Sequence, residues 1–367
     1  MSPATRAEQR IIAPGATIGI LGGGQLGRMI ALAAAALGYR CHVYAPEGDL
    51  PAAQVSAATT HAAYDDRRAL EAFANSVSVV TYEFENVPVE TVRLLEPLVP
   101  VRPGARSLEI AQDRLAEKKF ANALGIGTAS FAAVDDRAGL DAALAKVGAP
   151  AILKTRRLGY DGKGQASIEA GSDLDAAWRA VGAAPAILEA RVDFEREISV
   201  VAARGLSGEV APYVPVENRH RGGILDITTA PAPIPPALAR DAALLAGRIA
   251  EALDHVGVLC VELFVSRDGA LLMNEIAPRV HNSGHWTIDA CATSQFAQHV
   301  RAVCGLPLGT PERHSNAVMQ NLIGDDVSRW RALLDDPAAC LHLYGKAEIR
   351  PGRKMGHVTW LRPRRDA

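Results

Sequence analysis

The chain has few cysteines, and none of them are closely paired. Its 367 residues include five cysteines, and no two of these form a C-x-x-C pair. Scattered thiols without such spacing indicate neither a zinc site nor a disulfide framework. The five positions are Cys41, Cys260, Cys291, Cys304 and Cys340. We therefore expect reduced thiols in a cytoplasmic protein.

An excess of positive charge and a long apolar run are also missing. The 39 Lys and Arg residues are balanced by 41 Asp and Glu residues, which gives a net charge of -2. This balance argues against the broad positive field of a nucleic-acid-binding protein. No run of about eighteen apolar residues is available to span a membrane, and residues 1–16 contain no apolar segment typical of a signal peptide. We expect neither a nucleic-acid nor a membrane partner, and a disordered extension over residues 1–16.

The remaining composition is that of a folded enzyme. Hydrophobic residues make up 49% of the chain and charged residues 22%. A chain of this length and composition can bury two or three ordinary cores, so a protein of several lobes is expected.

The first ordered segment is a strand that leads into a glycine turn and a helix. The apolar run Thr17-Ile18-Gly19-Ile20-Leu21 is followed by three glycines and by an alanine-rich stretch that ends at Gly38. Further strands are predicted over residues 40–44 and within residues 77–86. Because strands and helices alternate, this part of the chain predicts an α/β domain with a parallel sheet.

The glycines of residues 22–27 match the G-x-G-x-x-G spacing of dinucleotide-binding turns. Such a site also needs an acid at the end of the second strand, where this chain has Tyr44-Ala45-Pro46. Glu47 lies near the expected distance but beyond the proline. The alternative is that the glycines allow close packing of helix on strand. A nicotinamide site is the weaker of these two interpretations.

A second glycine loop lies between two predicted strands further along. A helix is predicted to start within residues 112–119, and residues 150–154 form an apolar strand that ends at Lys154. The loop over residues 159–165 precedes a strand at residues 166–168. Its members are Gly159, Tyr160, Asp161, Gly162, Lys163, Gly164 and Gln165. Strand, glycine loop and strand predict a flap.

This flap has the chemistry of a phosphate cradle. Glycines let backbone N–H groups approach a polyphosphate, and Lys154 and Lys163 can supply positive charge. The loop is not a Walker A motif, which has the pattern G-x-x-x-x-G-K-[ST] before a helix. A plain hairpin turn at Asp161-Gly162 is the alternative.

Acidic residues follow the next predicted strand. The apolar residues 185–188 lead to Glu189, and Asp193, Glu195 and Glu197 come before an alternating strand. The edge of the first strand could bind a base, and the acids could meet ribose hydroxyls. Solvated acids are the alternative for these positions.

A carboxylate pair is predicted on a hairpin. Residues 258–264 and 270–276 are strand-like, and Asp268-Gly269 between them is a turn signal. A two-residue turn there would place Glu262 opposite Glu275, with Cβ atoms about 5 Å apart. Two like charges so close favour a cation between them, and Mg²⁺ binds carboxylates together with substrate phosphates. The alternative is that one acid is exposed or neutralised by an arginine.

Two later segments are rich in groups that bind anions. Residues 277–286 combine Arg279 with histidines on predicted irregular backbone, and residues 344–357 contain five basic residues if His357 is counted. Zinc is not expected at His281 and His285, because the spacing lacks the acid of H-E-x-x-H. A solvated basic face is the alternative for residues 344–357.

In their order along the chain, six segments resemble the N5-carboxyaminoimidazole ribonucleotide synthase family of purine biosynthesis, which belongs to the ATP-grasp enzymes. The segments are residues 22–27, Gln112-Asp113-Arg114, the glycine loop 159–165, residues 274–279, residues 281–286 and Arg350-Pro351-Gly352-Arg353-Lys354. The resemblance covers residues 17–362. Family members often have an aspartate where this chain has Ala45, a difference confined to the first domain.

The resemblance implies an ATP-grasp fold with a Rossmann-like N-terminal domain, a small lid and a C-terminal domain. The implied boundaries are 17–112 for the N-terminal domain, 113–305 for the ATP-grasp domain with a lid at about 148–212, and 306–367 for the C-terminal domain. ATP would lie between the lobes, and the protein would be a homodimer.

The resemblance also implies roles for individual residues. The implied ATP-binding residues are Arg114, Lys154, the loop members Gly159, Tyr160, Asp161, Gly162, Lys163, Gly164 and Gln165, then Glu189, Val192, Glu197, His220, Asn274 and Glu275. The implied binders of 5-aminoimidazole ribonucleotide and bicarbonate are Tyr160, Asp161, Arg279, His281, Ser283, Lys346, Arg353 and Lys354. Glu262 and Glu275 would hold Mg²⁺ or Mn²⁺, and Asp161, Arg279 and Lys354 would act in catalysis.

The implied reaction is an ATP-dependent carboxylation. ATP would phosphorylate bicarbonate to carboxyphosphate, and the amine of the ribonucleotide would then be carboxylated. Two other classes remain open. A related ATP-grasp ligase that uses formate and glycinamide ribonucleotide is the nearer one, and a nicotinamide oxidoreductase is the further one, since it leaves the carboxylate pair unexplained.

Overall fold

The structure is a computed structural model that describes residues 11–159 and 164–364. No helix in these two ranges is long and apolar enough to cross a membrane. Three sheets organise the chain, and each has its own buried core.

The first sheet is parallel, as the sequence predicted, and its four strands have the order β3-β2-β1-β4. Its strands are β1 (Thr17–Leu21), β2 (Arg40–Ala45), β3 (Ala58–His61) and β4 (Val79–Tyr82). The helices of this domain are α1 (Gln25–Ala36), α2 (Arg67–Ser76), α3 (Val89–Leu95) and α4 (Ala105–Ala111). Strands β1 and β4 are almost entirely buried, which is typical of parallel strands covered on both faces.

Close packing of helix on strand explains one glycine of this domain. A Cβ atom at Gly19 in β1 would lie 2.6 Å from the ring of Phe73 in α2. Asp66 is the N-cap of helix α2, and its carboxylate accepts a hydrogen bond of 3.0 Å from the backbone N–H of Ala69. The sequence thus fixes both the start of this helix and its distance from the sheet.

Residues 11–16 are packed against the protein, so the expected disordered extension does not include them. Ile12 is buried, and its backbone N–H donates to the carbonyl of Cys304 at 2.9 Å. The hydroxyl of Tyr39 donates to the carbonyl of Ile12 at 2.6 Å. Apolar burial and these two hydrogen bonds anchor the segment. Residues 1–10 lie outside the described ranges.

The second sheet is small and antiparallel, with the order β5-β8-β6-β7. Its strands are β5 (Phe131–Val134), β6 (Ala151–Thr155), β7 (Gln165–Ile168) and β8 (Ala186–Ala190). Helix α5 (Arg114–Ala123) precedes this lobe, and α6 (Arg137–Val147) and α7 (Leu174–Ala180) cover it. The lobe therefore differs from the lid expected at 148–212. It begins earlier, because β5 pairs with β8, and it ends where the next strand joins another sheet.

The third sheet has nine strands in the order β14-β13-β9-β11-β12-β15-β17-β16, with β10 beside β9. The strands are β9 (Phe194–Arg204), β10 (Val210–Pro212), β11 (Val216–Arg221), β12 (Ile224–Ala230), β13 (Gly257–Ser266), β14 (Leu271–Ala277), β15 (Asn316–Ile323), β16 (Ala339–Leu343) and β17 (Lys354–Arg362). The helices are α8 (Pro236–Ala252), α9 (Thr287–Ala290), α10 (Gln295–Val303) and α11 (Trp330–Leu334). Because β12 pairs with β15, the sheet continues across the expected boundary at residue 306.

Candidate active site

The predicted carboxylate pair exists, but the turn that produces it differs from the prediction. Strands β13 and β14 are joined through residues 267–269. The backbone N–H of Ser266 donates to the carbonyl of Ala270 at 3.0 Å and closes this three-residue turn. The predicted two-residue turn is therefore wrong. Near the turn, Leu263 pairs with Met273, and a shift in register then places Glu262 opposite Glu275. A β-bulge, in which Asn274 is the extra residue, brings the two acids together.

Each acid of this pair has a basic side chain beside it. Nη1 of Arg114 lies 3.0 Å from Oε2 of Glu275, and Nε2 of His281 lies 3.1 Å from Oε1 of Glu262. Burial raises the pKa of Glu262, but the hydrogen bond from His281 and the nearby charges, including that of Lys354, lower it below the ordinary value. Neutralisation by an arginine, the alternative for this pair, therefore does occur at Glu275.

The donor atoms of this site suit a magnesium ion. The side-chain oxygen Oδ1 of Asn274 is buried and has no hydrogen-bond partner within the described residues. Asn274 precedes Glu275 on β14, so its side chain offers a third candidate oxygen ligand. No group of three or more His, Cys, Asp or Glu residues forms a complete metal cage in the parts of the chain that the structure describes. Mg²⁺ needs no such cage, because it commonly combines one or two carboxylates with substrate phosphates and water.

Helix α5 holds the bulge in place from behind. Its Lys118 is buried and donates to the carbonyls of Met273 at 3.2 Å and Asn274 at 2.8 Å. Glu117 accepts a hydrogen bond of 2.6 Å from the backbone N–H of Ile276. Sequence analysis missed both residues. The signal was the spacing of Arg114 and Lys118, because positions four apart lie on one face of a helix.

A buried carboxylate organises the lysines between α5 and the small sheet. Oε2 of Glu189 in β8 lies 2.9 Å from Nζ of Lys154 in β6 and 3.5 Å from Nζ of Lys118. Burial raises the pKa of Glu189, but the two lysines lower it below its ordinary value. Its other oxygen is buried and without a partner among the described residues. Two lysines and a carboxylate thus form a largely buried cluster, which Lys118 links to the strand that carries Glu275.

The first residue of the second glycine loop lies close to Arg114, and Gly164 near its other end packs against Thr155. Nη2 of Arg114 approaches the carbonyl of Gly159 at 3.4 Å. Gly164 has φ +70°, and a Cβ atom there would lie 2.7 Å from the hydroxyl of Thr155. Gly164 is therefore required by both conformation and space. Gln165 begins β7, and the other loop members, Tyr160, Asp161, Gly162 and Lys163, lie outside the described residues.

Of the residues predicted to bind adenine and ribose, Glu189 lies in β8 of the small sheet, whereas Val192 and Glu197 lie where the chain enters the large sheet. Val192 is half-buried in the connection between β8 and β9. Glu197 in β9 contacts Nδ1 of His220 in β11. Burial lowers the pKa of His220, but the hydrogen bond and charge of Glu197 raise it above its ordinary value.

The first glycine turn encloses a protein carboxylate. The backbone N–H of Gly27 donates to Oε2 of Glu83 at 2.7 Å, and the N–H of Gly24 contacts Oε1. These N–H groups at the start of α1 are the ones that would bind a pyrophosphate in a dinucleotide site. Glu83 already uses them, which argues against the nicotinamide interpretation.

Arg279, which follows Glu275 by four residues, lies near this turn. Its guanidinium contacts the carboxylate of Glu85, which follows β4. Burial raises the pKa of Glu85, but Arg279 more than offsets this and lowers it to about 2. Burial raises the pKa of Glu83 above its ordinary value, and the charges of Arg279 and Lys346 partly offset that rise. Sequence analysis missed Glu83 and Glu85, because nothing local to residues 82–86 reveals a distant arginine.

Basic residues of the C-terminal segment dock onto the first domain. Nη2 of Arg353 lies 2.9 Å from Oδ2 of Asp49, and the side chain of Gln54 donates to the carbonyl of Gly345 at 2.7 Å. Nζ of Lys346 donates to the carbonyl of Lys354 at 2.6 Å. Burial and, next, the charge of Arg353 lower the pKa of Lys346 to about 8, against the attraction of Glu83. Lys346 and Arg353 are thus held by contacts within the protein, which argues against a wholly solvated basic face.

His357 and His285 do not belong to this cationic group. Both are buried, and burial holds the pKa of each well below the ordinary value. Their rings lie 4.8 Å apart, and Nδ1 of His357 lies 2.9 Å from the hydroxyl of Tyr344. Counting His357 among the basic residues was therefore wrong, because the sequence did not reveal its burial.

These features define an ATP-grasp protein, in which a small antiparallel lobe and a large sheet face each other across carboxylates and lysines. The ATP-grasp domain family matches residues 119–296, and the ribonucleotide synthetase preATP-grasp domain matches residues 15–112. The phosphoribosylaminoimidazole carboxylase C-terminal domain matches residues 317–367.

Individual relatives give a narrower assignment. The chain is 54% identical to an N5-carboxyaminoimidazole ribonucleotide synthase of Brucella melitensis, with 96% of this chain and 98% of that protein covered. It resembles the ADP complex of an N5-carboxyaminoimidazole ribonucleotide synthetase with a TM-score of 0.94 and 43% identity, covering 97% of this chain and 95% of that one. The Aspergillus clavatus synthase crystallised with ADP and 5-aminoimidazole ribonucleotide has a TM-score of 0.89 and 31% identity, with 95% and 94% covered. The chain belongs to the N5-carboxyaminoimidazole ribonucleotide synthase family.

Proposed function

We propose that this chain is a ligase that carboxylates 5-aminoimidazole ribonucleotide with bicarbonate in purine biosynthesis. ATP is converted to ADP and phosphate, and the product is N5-carboxyaminoimidazole ribonucleotide. The observation that carries the proposal is that the carboxylate pair, Arg279 and the basic C-terminal residues lie together in a chain of this family. A nucleotide site and a separate anion site are what this reaction requires.

The nucleotide side of the site is built from α5, the small sheet and the start of the large sheet. Arg114, Lys154 and the loop over residues 159–165 are proposed to bind the phosphates of ATP. Glu189 and Val192 would contact the adenine, and Glu197 the ribose. His220 would adjoin the nucleotide through its contact with Glu197. Since Lys118 shares Glu189 with Lys154, it adds charge to the same cleft.

Glu262, Glu275 and Asn274 are the residues that would hold Mg²⁺ or Mn²⁺. Such an ion, bound with ATP, would neutralise charge on the transferring phosphoryl group. Arg114 and His281 also lie beside these acids, at Glu275 and Glu262 respectively. Arg114 would then turn toward the phosphates when the nucleotide binds, because both roles use the same guanidinium.

The second half of the site is proposed to hold the ribonucleotide and bicarbonate. Arg279, His281, Ser283, Lys346, Arg353 and Lys354 are the described members, and Tyr160 and Asp161 are expected to complete it. Arg279 and Lys354 would stabilise negative charge on the carboxyl group or the substrate phosphate. Asp161 would orient or deprotonate the amine that attacks. The Aspergillus clavatus synthase was crystallised with ADP and 5-aminoimidazole ribonucleotide, which supports the proposal of a nucleotide site and a ribonucleotide site in this chain.

Carboxyphosphate, the proposed intermediate, reacts readily with water. Closure of the small lobe over the large sheet would exclude water while the intermediate waits for the amine. We further propose that the protein is cytoplasmic. We also propose that it works as a homodimer, and gel filtration with light scattering would test this second point.

ADP release by the purified protein tests the proposed function. The assay contains MgATP and bicarbonate, with and without 5-aminoimidazole ribonucleotide. We expect release to rise sharply with the ribonucleotide and to depend on bicarbonate. Formate with glycinamide ribonucleotide is the matched control for a related ligase. Stimulation only by the control pair would overturn the proposed substrate while retaining the ATP-grasp chemistry.

A further inference from the structure

Buried polar side chains extend away from Glu262 across the large sheet. On β9, Ser199 is the residue opposite Glu262, so Glu275, Glu262 and Ser199 form one row across three strands. Asn218 on β11 and Thr228 on β12 are opposite each other on the two strands beyond β9. Ser199 and Thr228 are fully buried and Asn218 nearly so. Because these three side chains are buried, each of their polar groups needs a hydrogen-bond partner.

The partners form one continuous chain of hydrogen bonds. Oγ1 of Thr228 lies 3.0 Å from Oδ1 of Asn218, and Nδ2 of Asn218 lies 2.8 Å from Oγ of Ser199. Oγ of Ser199 lies 2.7 Å from Oγ of Ser283, which lies 2.8 Å from Nδ1 of His281. Nε2 of His281 ends the chain at Glu262. Three residues without a proposed contact to any substrate are thus linked to a proposed metal ligand.

These hydrogen bonds all donate in the same direction, from Asn218 toward His281, as the chemistry of the side chains shows. An amide nitrogen can only donate, so Asn218 donates to Ser199, whose own proton then points to Ser283. Ser283 in turn donates to Nδ1 of His281. An independent contact agrees, because the backbone N–H of Ser283 also donates to Nδ1, at 3.3 Å. Nδ1 is therefore an acceptor, and the proton on Nε2 points to Glu262.

Thr228 satisfies the amide oxygen of Asn218 and so favours the orientation in which the amide nitrogen faces Ser199. Its hydroxyl donates to Oδ1, which leaves the amide nitrogen for Ser199. Without that hydroxyl, the amide of Asn218 can turn over and present its oxygen to Ser199. The hydroxyl of Ser199 would then donate to the amide oxygen of Asn218 instead of to Ser283. Ser283 would no longer be held as the donor to Nδ1 of His281.

We propose that Ser199, Asn218 and Thr228 are positioning residues, which hold the imidazole of His281 with its Nε2 proton toward Glu262 and thereby fix that carboxylate for the nucleotide-bound metal. The inference rests on the proposed function for the role of Glu262. Residues behind a metal ligand commonly change metal affinity or activity about tenfold or more when they are removed. Thr228 lies far from the ion, so we expect about a threefold to tenfold effect there.

Two variants of one residue test this directly. Thr228→Val keeps the shape of the side chain and removes its hydroxyl, whereas Thr228→Ser keeps the hydroxyl and removes a methyl group. We expect Thr228→Val to raise the half-saturating Mg²⁺ concentration about threefold to tenfold and Thr228→Ser to leave it within about twofold. Ser199→Ala, which breaks the chain nearer to His281, should have the larger effect. If the melting temperature shows that Thr228→Val does not fold, Ser199→Ala tests the proposal in its place.

A spectroscopic measurement without metal or nucleotide separates positioning from loss of stability. In protein labelled with ¹⁵N-histidine, the ring of His281 should give the signals of the Nε2–H tautomer, identified by their absence in His281→Asn. We expect a second tautomer to appear in Thr228→Val and not in Thr228→Ser. The same tautomer and the same Mg²⁺ requirement in both variants would overturn the inference.

Glu262→Gln distinguishes the two possible failures. If this variant leaves the Mg²⁺ requirement unchanged, the metal role in the proposed function is wrong. If Glu262→Gln raises the requirement while Thr228→Val and Ser199→Ala behave like Thr228→Ser, the metal role stands and the hydrogen-bond chain does not position it.

Discussion

Glu275 lies opposite Glu262 because Asn274 bulges out of β14 between them and the turn. With the register found next to the turn, Asn274 itself would be the residue opposite Glu262. The backbone carbonyls of Met273 and Asn274 are held by Lys118, and the N–H of Ile276 is held by Glu117. The facing of the two acids is therefore a property of the bulge and of the helix behind it.

The carboxylate of Glu275 should be necessary for metal-dependent turnover. Glu275→Gln keeps the size of the side chain and removes its charge. We expect turnover with saturating MgATP to fall about 100-fold, which corresponds to about 3 kcal/mol of lost transition-state stabilisation. The measurement is steady-state ADP release with 5-aminoimidazole ribonucleotide and bicarbonate.

An exposed glutamate provides the control for this change. Glu251→Gln, on the solvent side of α8, should turn over like the unchanged protein. A Glu275→Gln variant with near-normal turnover and an unchanged Mg²⁺ requirement would contradict the proposed metal site.

The sequence was sufficient for features that depend on neighbouring residues. The strand at residues 17–21, the parallel first sheet and the facing of Glu262 and Glu275 were predicted and are confirmed. The route to the last of these was wrong, since the three-residue connection and the bulge changed the register by one residue each in opposite directions. A turn signal gives a hairpin reliably, but a bulge depends on tertiary contacts such as that of Lys118.

Lys346 should make binding of the ribonucleotide sensitive to pH near 8. Burial and the charge of Arg353 lower the pKa of its ammonium group to about 8, so its charge is lost as the pH rises through that value. If this charge binds the substrate, kcat/KM for 5-aminoimidazole ribonucleotide should fall between pH 7 and pH 9, because this ratio reports the free enzyme. The profile is measured at constant bicarbonate and saturating MgATP.

The Lys346→Arg variant controls for other titrating groups. Arginine keeps its charge throughout this range, so the decline near pH 8 should disappear or move upward even if the absolute activity is lower. Lys346→Met should lower kcat/KM at all these pH values. An identical decline in all three proteins would show that Lys346 is not the titrating group.

Long-range contacts explain what the sequence did not reveal. The first glycine turn matches a dinucleotide motif, yet its N–H groups bind Glu83, which lies 59 residues from Gly24. The pairing of β5 with β8 extends the small lobe to Phe131, and the buried Ile12 excludes residues 11–16 from the expected extension. Each of these depends on residues far apart in the chain, for which local patterns carry no signal.

The ion pair of Glu85 and Arg279 should make the stability of the protein sensitive to acid. The pKa of Glu85 falls from 4.5 to about 2 on folding, so the contribution is present above pH 4.5 and is lost as the pH falls toward 2. In urea unfolding, the stability difference between the unchanged protein and Glu85→Gln should therefore shrink by about 1 kcal/mol between pH 6 and pH 3.5. Glu90→Gln, which removes an exposed ion pair with Arg93, should show at most a few tenths of this change. A constant difference for Glu85→Gln would contradict the lowered pKa.

Asp161 should contribute more to carboxylation than to the binding of ATP by the glycine loop. It is proposed to orient or deprotonate the amine of the ribonucleotide, a step that follows nucleotide binding. Asp161→Ala should therefore abolish the stimulation of ADP release by 5-aminoimidazole ribonucleotide, while the affinity for MgATP, measured by calorimetry, changes little. Asp141→Ala, an exposed aspartate on α6 of the same lobe, is the matched control and should retain the stimulation. If Asp161→Ala keeps full activity, the amine is activated elsewhere. If it loses ATP affinity instead, Asp161 acts in binding the phosphates, which is the other role expected of the glycine loop.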